Sequence, residues 1–278
     1  MAQAEPEHLG TFTWQRPEPY FGGLSAIEIA EGGIEFLVIG DSAQTLRGRF
    51  ERKEGLITAA NVGWIGALRG SGGVPLFQAG DPDVTDSEGV AGNVDGPFYV
   101  SFEILPRIWR YDSVDGPAIP LPFYRPLLHW AGNGAFEALA VDADGTLYTI
   151  PEGRRSRLRA FPVYRFKDGA WDKPFQIAAS NRYYPVGADI GPDGRLYLLE
   201  RRHHGFLRFS SRVRRFDLGA DALTDETVIL QSNAGQFDNL EGIAIWAEPG
   251  GALRMTLISD DNFLALQETQ IVEFRLTD

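Results

Sequence analysis

The chain has 278 residues, 44% of them hydrophobic, which is enough to bury a large core in one repeat domain or in two smaller domains. Its 38 acidic and 26 basic residues give a formal charge of −12, which argues against nucleic acid or an anionic membrane as the main partner. The sequence contains no cysteine, so disulfides, thiolate catalysis and cysteine-ligated metal sites are excluded.

The N-terminus and the hydropathy of the chain bear on where the protein acts. No apolar run approaches the about 20 residues of a membrane helix, so we expect no membrane insertion. Residues 1–7 lack the basic and apolar segments of a signal peptide, and we predict that they form a disordered tail. Because this tail resembles a mature start behind an added methionine, we expect a periplasmic or secreted protein, with the cytoplasm as the alternative.

The first two repeated units each contain four segments of strand length. The 32 glycines, 17 prolines and 12% aromatic residues suit many short strands joined by tight turns. The strands predicted for the first unit cover residues 23–29, 35–39, 46–52 and 56–68. Those predicted for the second unit cover residues 89–92, 98–102, 107–112 and 119–123.

Asp-Gly turns mark hairpins in the next two units, because such a turn requires a positive φ. Asp144-Gly145 and Asp193-Gly194 each separate two apolar runs. The predicted strands of the third unit cover residues 136–141, 146–150, 161–166 and 175–178. Those of the fourth unit cover residues 186–190, 195–199, 212–218 and 227–230. The fifth unit offers only three strands, at residues 242–246, 253–259 and 270–276.

An acidic residue returns at a fixed place in these units. Glu88 and Glu137 open the same short motif and lie 49 residues apart, and Glu103 and Glu152, which follow the second strands, keep the same spacing. A fixed period near fifty residues indicates a radial or stacked repeat architecture. The motif position is occupied in the five units by Ser25, Glu88, Glu137, Val186 and Glu241.

Four strands per unit, with the innermost strand first, are typical of a β-propeller blade. The apolar segment at residues 8–15 precedes the first unit, and the fifth unit lacks a fourth strand. We therefore predict an all-β fold in which residues 1–278 form a single five-bladed propeller, closed by the N-terminal strand. Six blades are the alternative, since the 63-residue first unit is long enough to contain a degenerate blade.

The inner strands of a propeller surround a channel, so glutamates at equivalent positions are expected to share one space. The acids that end the second strands, including Asp41, Glu103 and Glu152, are expected one layer outward. A carboxylate cluster requires a cation, a proton or a cationic ligand. Oxygen ligands favour calcium, with magnesium or manganese as alternatives. The predicted metal ligands are Glu88, Glu137, Glu241, Asp260 and Asp261. The alternative is a water-filled channel with solvated acids and no metal.

Several motifs resemble those of a known family. They are Asp-Ser-Glu-Gly-Val-Ala at 86–91, Leu-Leu-Glu-Arg at 198–201, Asn-Leu-Glu-Gly-Ile-Ala at 239–244 and Ser-Asp-Asp-Asn-Phe at 259–263. Together they resemble the phytase-like "esterase-like activity of phytase" family, although Ala138 replaces the usual glycine after the glutamate. The resemblance implies an exported propeller with phosphoester or ester hydrolysis. It implies as channel-mouth residues Glu88, Glu137, Glu200, Arg201, Asn239, Glu241, Asp260, Asp261 and Asn262.

Phosphoryl transfer requires charge stabilisation more than covalent chemistry, and cations held by carboxylates can supply it. Arg201 is in register with the second-strand acids and could bind a phosphate oxygen. The predicted catalytic residues are Glu137, Glu200 and Arg201. The predicted substrate-binding residues are Arg201, Ser25, Asn239, Asn262, Glu103 and Glu152. Basic clusters at 154–159 and 201–204 either flank the channel or are solvated loop charge.

Two functions remain open at this point. The first is a metal-assisted hydrolase acting on a phosphate ester or related ester, with a small-molecule substrate and a monomeric protein. The second is a non-catalytic propeller in which a structural cation supports a ligand- or partner-binding mouth. Fold alone does not decide between them, because propellers host many functions.

Overall fold

The computed structural model describes residues 5–18, 21–79, 82–130, 134–153 and 159–277. These residues form twenty β-strands, arranged in five antiparallel four-stranded sheets, and three short 3₁₀ helices. The strand β1 (Glu7–Thr13) comes first in the chain. The strands of the first blade follow in order from the channel outwards: β2 (Leu24–Ile29), β3 (Glu35–Gly40), β4 (Gln44–Lys53) and β5 (Leu56–Ala67).

The other blades repeat this order. The second contains β6 (Ser87–Gly92), β7 (Phe98–Phe102), β8 (Arg107–Tyr111) and β9 (Ile119–Pro120). The third contains β10 (Ala138–Val141), β11 (Leu147–Ile150), β12 (Ala160–Lys167) and β13 (Ala170–Ala178). The fourth contains β14 (Tyr184–Ile190), β15 (Arg195–His203), β16 (Phe209–Leu218) and β17 (Leu223–Gln231). The fifth contains β18 (Asn239–Ala247), β19 (Leu253–Asp260) and β20 (Gln270–Arg275).

The innermost strands close a ring. In the order β2, β6, β10, β14, β18 and back to β2, each innermost strand contacts the next. The arrangement is that of a five-bladed β-propeller, and it confirms the predicted fold class.

The N-terminal strand completes the fifth blade. β1 pairs antiparallel with β20, from Glu7 opposite Arg275 to Thr13 opposite Gln270. Arg275 Nη1 also lies 2.7 Å from Glu7 Oε2. The strand gives the last blade its fourth member and covers the edge that β20 would otherwise leave open. The prediction that residues 1–7 form a disordered tail is wrong at Glu7, where β1 begins. Residues 1–4 lie outside the described residues.

The alternative of six blades is wrong. In the described residues, the segment between β5 and β6 contributes two short 3₁₀ helices, Leu76–Ala79 and Pro82–Val84, and no further sheet. A third 3₁₀ helix, Arg125–Trp130, precedes the third blade. No helix among the described residues is long and apolar enough to cross a membrane.

The apolar core lies in layers between adjacent blades. One cluster joins Ile27 and Phe36 of the first blade to Ala244 and Ile258 of the fifth. All six residues of β2 are buried, whereas the outer strand β5 alternates between exposed and partly buried residues. The inner strands are largely buried because a neighbouring blade covers each of their faces. The polar ends of these strands are thereby left at the mouths of the channel.

Candidate active site

Strand direction brings two sets of acidic residues to one face of the ring: those at the starts of the innermost strands and those at the ends of the second strands. Each second strand runs antiparallel to the innermost strand, so its end lies beside the start of its neighbour. Asn239 at the start of β18 pairs with Asp260 at the end of β19, and Ser87 of β6 pairs with Phe102 of β7. Acids at inner-strand starts and at second-strand ends therefore share one layer. The second-strand acids Asp41, Glu103 and Glu152 line the same cavity as the inner-strand glutamates.

The repeated motif position coincides with a β-bulge in four of the five blades. Strand pairing is interrupted between Leu24 and Ala26, and likewise in β6, β14 and β18. A bulge leaves one residue without a cross-strand partner and redirects its side chain. The residues at these interruptions include Ser25, Glu88, Val186 and Glu241.

A cavity of about 510 Å³ opens at this end of the channel. Eight carboxylates line it, together with one guanidinium and one side-chain amide. Glu88, Glu137 and Glu241 belong to three different blades and meet here. The lining residues are Asp41, Asp86, Glu88, Glu103, Glu137, Glu152, Arg201, Glu241, Asp260 and Asn262.

Three of these carboxylates form a tight cluster. One oxygen each from Asp86, Glu88 and Glu103 lies within 4.8 Å of the other two. The backbone N–H of Glu103 donates to the carbonyl of Asp86 at 2.9 Å, which holds the two residues together. The carboxylate of Glu103 also accepts a hydrogen bond from the N–H of Gly134. We did not predict Asp86 as a site residue, although its place two positions before Glu88 could have indicated it.

Burial and mutual repulsion raise the pKa values of the cavity carboxyls. Burial is the larger cause for Glu88 and Glu137, whose pKa values rise well above the usual range, and neighbouring carboxylates add to it. Burial, with the charge of Glu241, raises the pKa of Asp41 to about 7 and that of Asp260 to about 9. Burial and the charge of Glu103 raise the pKa of Asp86 to about 7. The cavity therefore retains protons at neutral pH unless a cation replaces them.

Arg201 neutralises one side of the cavity. Its Nη1 donates to Asn239 Oδ1 at 2.5 Å and forms an ion pair with Glu241, while its Nη2 lies 3.6 Å from Glu152 Oε1. Asn239 Nδ2 donates to Glu241 Oε1 at 2.8 Å, so the amide links the two charged groups. Burial opposes the charge of Arg201, but the carboxylates of Glu241, Glu152 and Glu137 outweigh it and raise its pKa.

The Asp86–Glu88–Glu103 cluster lies on the other side, and no ion pair within the described residues involves it. All three of its ligand atoms are carboxylate oxygens, a donor set that fits calcium, magnesium or manganese and is unsuited to softer metals. This side of the cavity thus has the chemistry of a divalent cation site.

Glu200 does not reach the cavity, and its prediction as a channel-mouth residue is wrong. Its side chain is fully buried and accepts hydrogen bonds from Arg212 Nε at 2.7 Å and from Arg214 Nε at 2.9 Å. The reason is the two-residue period of a strand, which places consecutive side chains on opposite faces. Arg201 faces the cavity, so Glu200 must face the interior of the blade.

Three further predicted residues lie beside the cavity and do not line it. The Asp261 carboxylate accepts hydrogen bonds from the N–H groups of Gly23 and Phe263, both at 3.0 Å. The buried Ser25 hydroxyl donates to Asp41, and Asn239 bonds Arg201 as described. These contacts position cavity residues or loops. Asn262 does line the cavity, and its N–H donates to Asp260 Oδ1 at 2.7 Å.

Of the two basic clusters, residues 154–158 lie outside the described residues. In the second cluster Arg201 lines the acidic cavity, and His203 lines a small adjoining pocket.

Comparison with known proteins agrees with this architecture. The model of the phytase-like family, described as esterase-like activity of phytase, matches residues 19–263. The chain belongs to the phytase-like family. The match covers all of β2 to β19, and with it every residue that lines the acidic cavity. No curated protein sequence matches the chain significantly.

Solved structures similar to this phytase-like protein share its fold at low sequence identity. A PQQ-bound aldose sugar dehydrogenase from Streptomyces coelicolor has a TM-score of 0.50 and 14% identity, over 98% of this chain and all of the other. A gluconolactonase from Xanthomonas campestris has a TM-score of 0.48 and 15% identity, over 97% of this chain and 84% of the other. At 14% identity, the likeness to the dehydrogenase concerns the fold alone and transfers no chemistry.

Proposed function

We propose that this phytase-like propeller is a metal-assisted hydrolase of a phosphate ester or a related ester. The observation that carries the proposal is the group of three carboxylate oxygens within 4.8 Å of one another, in a cavity with eight carboxylates and one arginine. Asp86, Glu88 and Glu103 would hold the cation, with calcium as the first candidate because of the all-oxygen donor set. A divalent cation bound there would polarise a phosphoryl or carbonyl oxygen of the substrate.

The residues opposite the cluster would bind and orient the ester. Arg201 projects into the cavity with its guanidinium held by Asn239 and Glu241, so its direction is fixed before a substrate enters. A guanidinium preorganised in this way can donate to a phosphate or carboxylate oxygen without losing further side-chain entropy. Arg201 thus remains the proposed substrate-binding and charge-stabilising residue.

Glu137 is the proposed acid–base residue. It lines the same cavity from the third blade and is buried. A carboxyl group in such surroundings can take a proton from water or return one to a leaving group, since burial and the neighbouring carboxylates raise its pKa well above the usual range. Glu241 is engaged with Arg201, which favours a positioning role over the predicted role as metal ligand. Asp260 remains a candidate for a further ligand.

The experiment measures turnover of p-nitrophenyl phosphate and phytate with calcium, after chelation, and after calcium is restored. We expect activity that is lost with the chelator, returns with calcium, and falls at least about tenfold in Glu88→Gln and Glu137→Gln, by analogy with losses at metal-site residues. Glu54→Gln is the matched control, because Glu54 is exposed in the β4–β5 turn and does not line the cavity. Unchanged turnover in both cavity variants would exclude this site.

One observation favours the second function, a cation with a structural role. The Glu103 carboxylate accepts the N–H of Gly134, so the cluster already links the second blade to the segment that leads into the third. A chelator that lowers the melting temperature, together with no turnover of any ester tested, would support this non-catalytic propeller.

A further inference from the structure

A second pocket lies beside the acidic cavity, between the third and fourth blades. Its volume is about 190 Å³, well above the about 30 Å³ that one water molecule occupies in the liquid. It is lined by Glu152, Arg182, Tyr184, Arg201 and His203. Glu152 and Arg201 line both spaces, so these two side chains form the wall between them.

Strand register explains why these groups converge. Tyr184 of β14 pairs with Arg201 of β15, and His203 follows two positions after Arg201. Residues two apart in a strand lie on one face of the sheet, so Arg201 and His203 face the same pocket. Phe209, which pairs with His203, supports it with a ring-to-ring distance of 5.1 Å.

Three polar side chains of this pocket have no polar partner among the described residues. Within the described part of the chain, the guanidinium of Arg182, the hydroxyl of Tyr184 and the imidazole of His203 have no hydrogen bond or ion pair. The acidic wall is already compensated, because Glu152 Oε1 lies 3.6 Å from Arg201 Nη2. Three groups that can donate hydrogen bonds, one of them a permanent cation, therefore face a space whose one carboxylate among the described lining residues, Glu152, is already paired.

We infer that the pocket of Arg182, Tyr184 and His203 binds an anionic group, a phosphate or a carboxylate, on a ligand that extends into the acidic cavity. One part of this inference rests on the proposed function, namely that the ligand carries an ester that is held in the acidic cavity. Anion binding by the pocket itself does not require that function. The substrate class is then an ester with a second negative charge, adjacent to the bond that is cleaved.

The two spaces divide the recognition of such a ligand between them. The acidic cavity repels an anion unless a cation is present, whereas the adjoining pocket attracts one directly. The positive charge of Arg201, in the wall between the cavity and the pocket, screens an anion in the pocket from the carboxylates of the cavity. An ester without the second charge would use the cavity alone and gain nothing from the pocket.

The test is calorimetric titration of metal-free protein with inorganic phosphate and, separately, with acetate, after the chelator has been removed by dialysis. We expect saturable binding of at least one of the two anions, weakened at least about tenfold in Arg182→Gln and also weakened in His203→Gln, as is usual for a charge-assisted contact. Arg202→Gln is the matched control, because Arg202 lies between Arg201 and His203 in β15 and does not line the pocket.

Arg182 and His203 are exposed, so both variants are expected to fold, and circular dichroism and melting temperature verify it. A stronger response to phosphate or to acetate identifies the anionic group, and either supports the inference. No saturable binding of either anion by the wild type, or an equal loss in Arg202→Gln, overturns it. Anion binding without ester turnover would refute the proposed function alone. Turnover without anion binding would refute the pocket alone.

Discussion

Glu200 and Arg201 are consecutive residues of β15 with opposite surroundings. Glu200 is fully buried between Arg212 and Arg214, and Arg201 projects into the acidic cavity. The contacts of Glu200 with these two arginines hold β15 and β16 of the fourth blade together. Arg201 is the one guanidinium among the described residues that line the cavity. Two consecutive residues of one strand thus have different roles: Glu200 belongs to a buried ion-pair network, and Arg201 belongs to the candidate active site.

Glu200→Gln is expected to destabilise the protein by about 3 kcal/mol or more, because it leaves the buried guanidinium of Arg212 without a carboxylate and that of Arg214 with only the half-exposed Glu226. Urea unfolding measures the change, and turnover per folded molecule should remain that of the wild type. Glu226→Gln is the control: Glu226 pairs with the same Arg214 but is about half exposed, so a change below about 1 kcal/mol is expected. A variant that is fully stable but inactive would assign Glu200 to catalysis after all.

Arg201→Gln is expected to destabilise the fold most at alkaline pH. The substitution removes a positive charge from the cavity, where burial raises the pKa of Asp41 to about 7 and that of Asp260 to about 9. These carboxyls lose their protons as pH rises, so the uncompensated negative charge in the variant grows with pH. The difference in melting temperature from wild type should therefore be larger at pH 8 than at pH 5. Arg202→Gln, in the next position of β15, should show no such pH dependence. An equal loss of stability at both pH values would mean that charge compensation is not what Arg201 provides.

The metal-free protein is expected to lose stability as pH rises from about 4 to about 9. The pKa values of Asp41 and Asp86 are raised to about 7 and that of Asp260 to about 9, from about 3.9 in the unfolded chain. The folded state therefore binds more protons than the unfolded state across this window, and the free energy of unfolding falls with pH. Melting temperatures at pH 5, 7 and 9 measure it.

Calcium should reduce this loss of stability at high pH, since the bound cation replaces the protons that the cavity carboxyls lose. Asp41→Asn should reduce it without calcium, because it removes one of the titrating groups. A metal-free melting temperature that rises steadily from pH 5 to pH 9 would contradict the assignment of raised pKa values to this cavity.

Gly187→Ala is expected to separate the innermost strands of the fourth and fifth blades. A Cβ at this position would overlap the backbone carbonyl oxygen of Glu241, which cannot move without displacing the bulge that carries that glutamate. Overpacking of this kind costs about 1–3 kcal/mol. Gly250→Ala is the control, since a Cβ there meets open space, and its effect should stay within about 0.5 kcal/mol. Chemical denaturation of both variants checks the prediction.

Strand content, blade order and ring closure could be predicted from the sequence because a blade is a local structure. Its strands are consecutive, its Asp-Gly turns are short, and its apolar runs repeat with a period near fifty residues. The predicted strand 98–102 coincides with β7, and the N-terminal segment pairs with β20 as expected. The long first unit was the ambiguous part, because residues between β5 and β6 have no repeated counterpart.

The direction of each acidic side chain was decided only by the tertiary structure. A β-bulge shifts the two-residue alternation by one position, and the sequence does not reveal which residue is the extra one. The structure alone shows that Asp86 and Glu103 join Glu88. It also shows that Glu200, one position before Arg201 in β15, and Asp261, just beyond the end of β19, turn away from the cavity.

The sequence by itself determined that carboxylates from several blades would gather at one end of a five-bladed ring, since a repeated motif occupies equivalent places around an axis. The tertiary structure decided which carboxylates share a cation site and which are neutralised by Arg201. That decision depends on distances between residues far apart in the chain, and local patterns of hydrophobic and polar residues do not encode those distances.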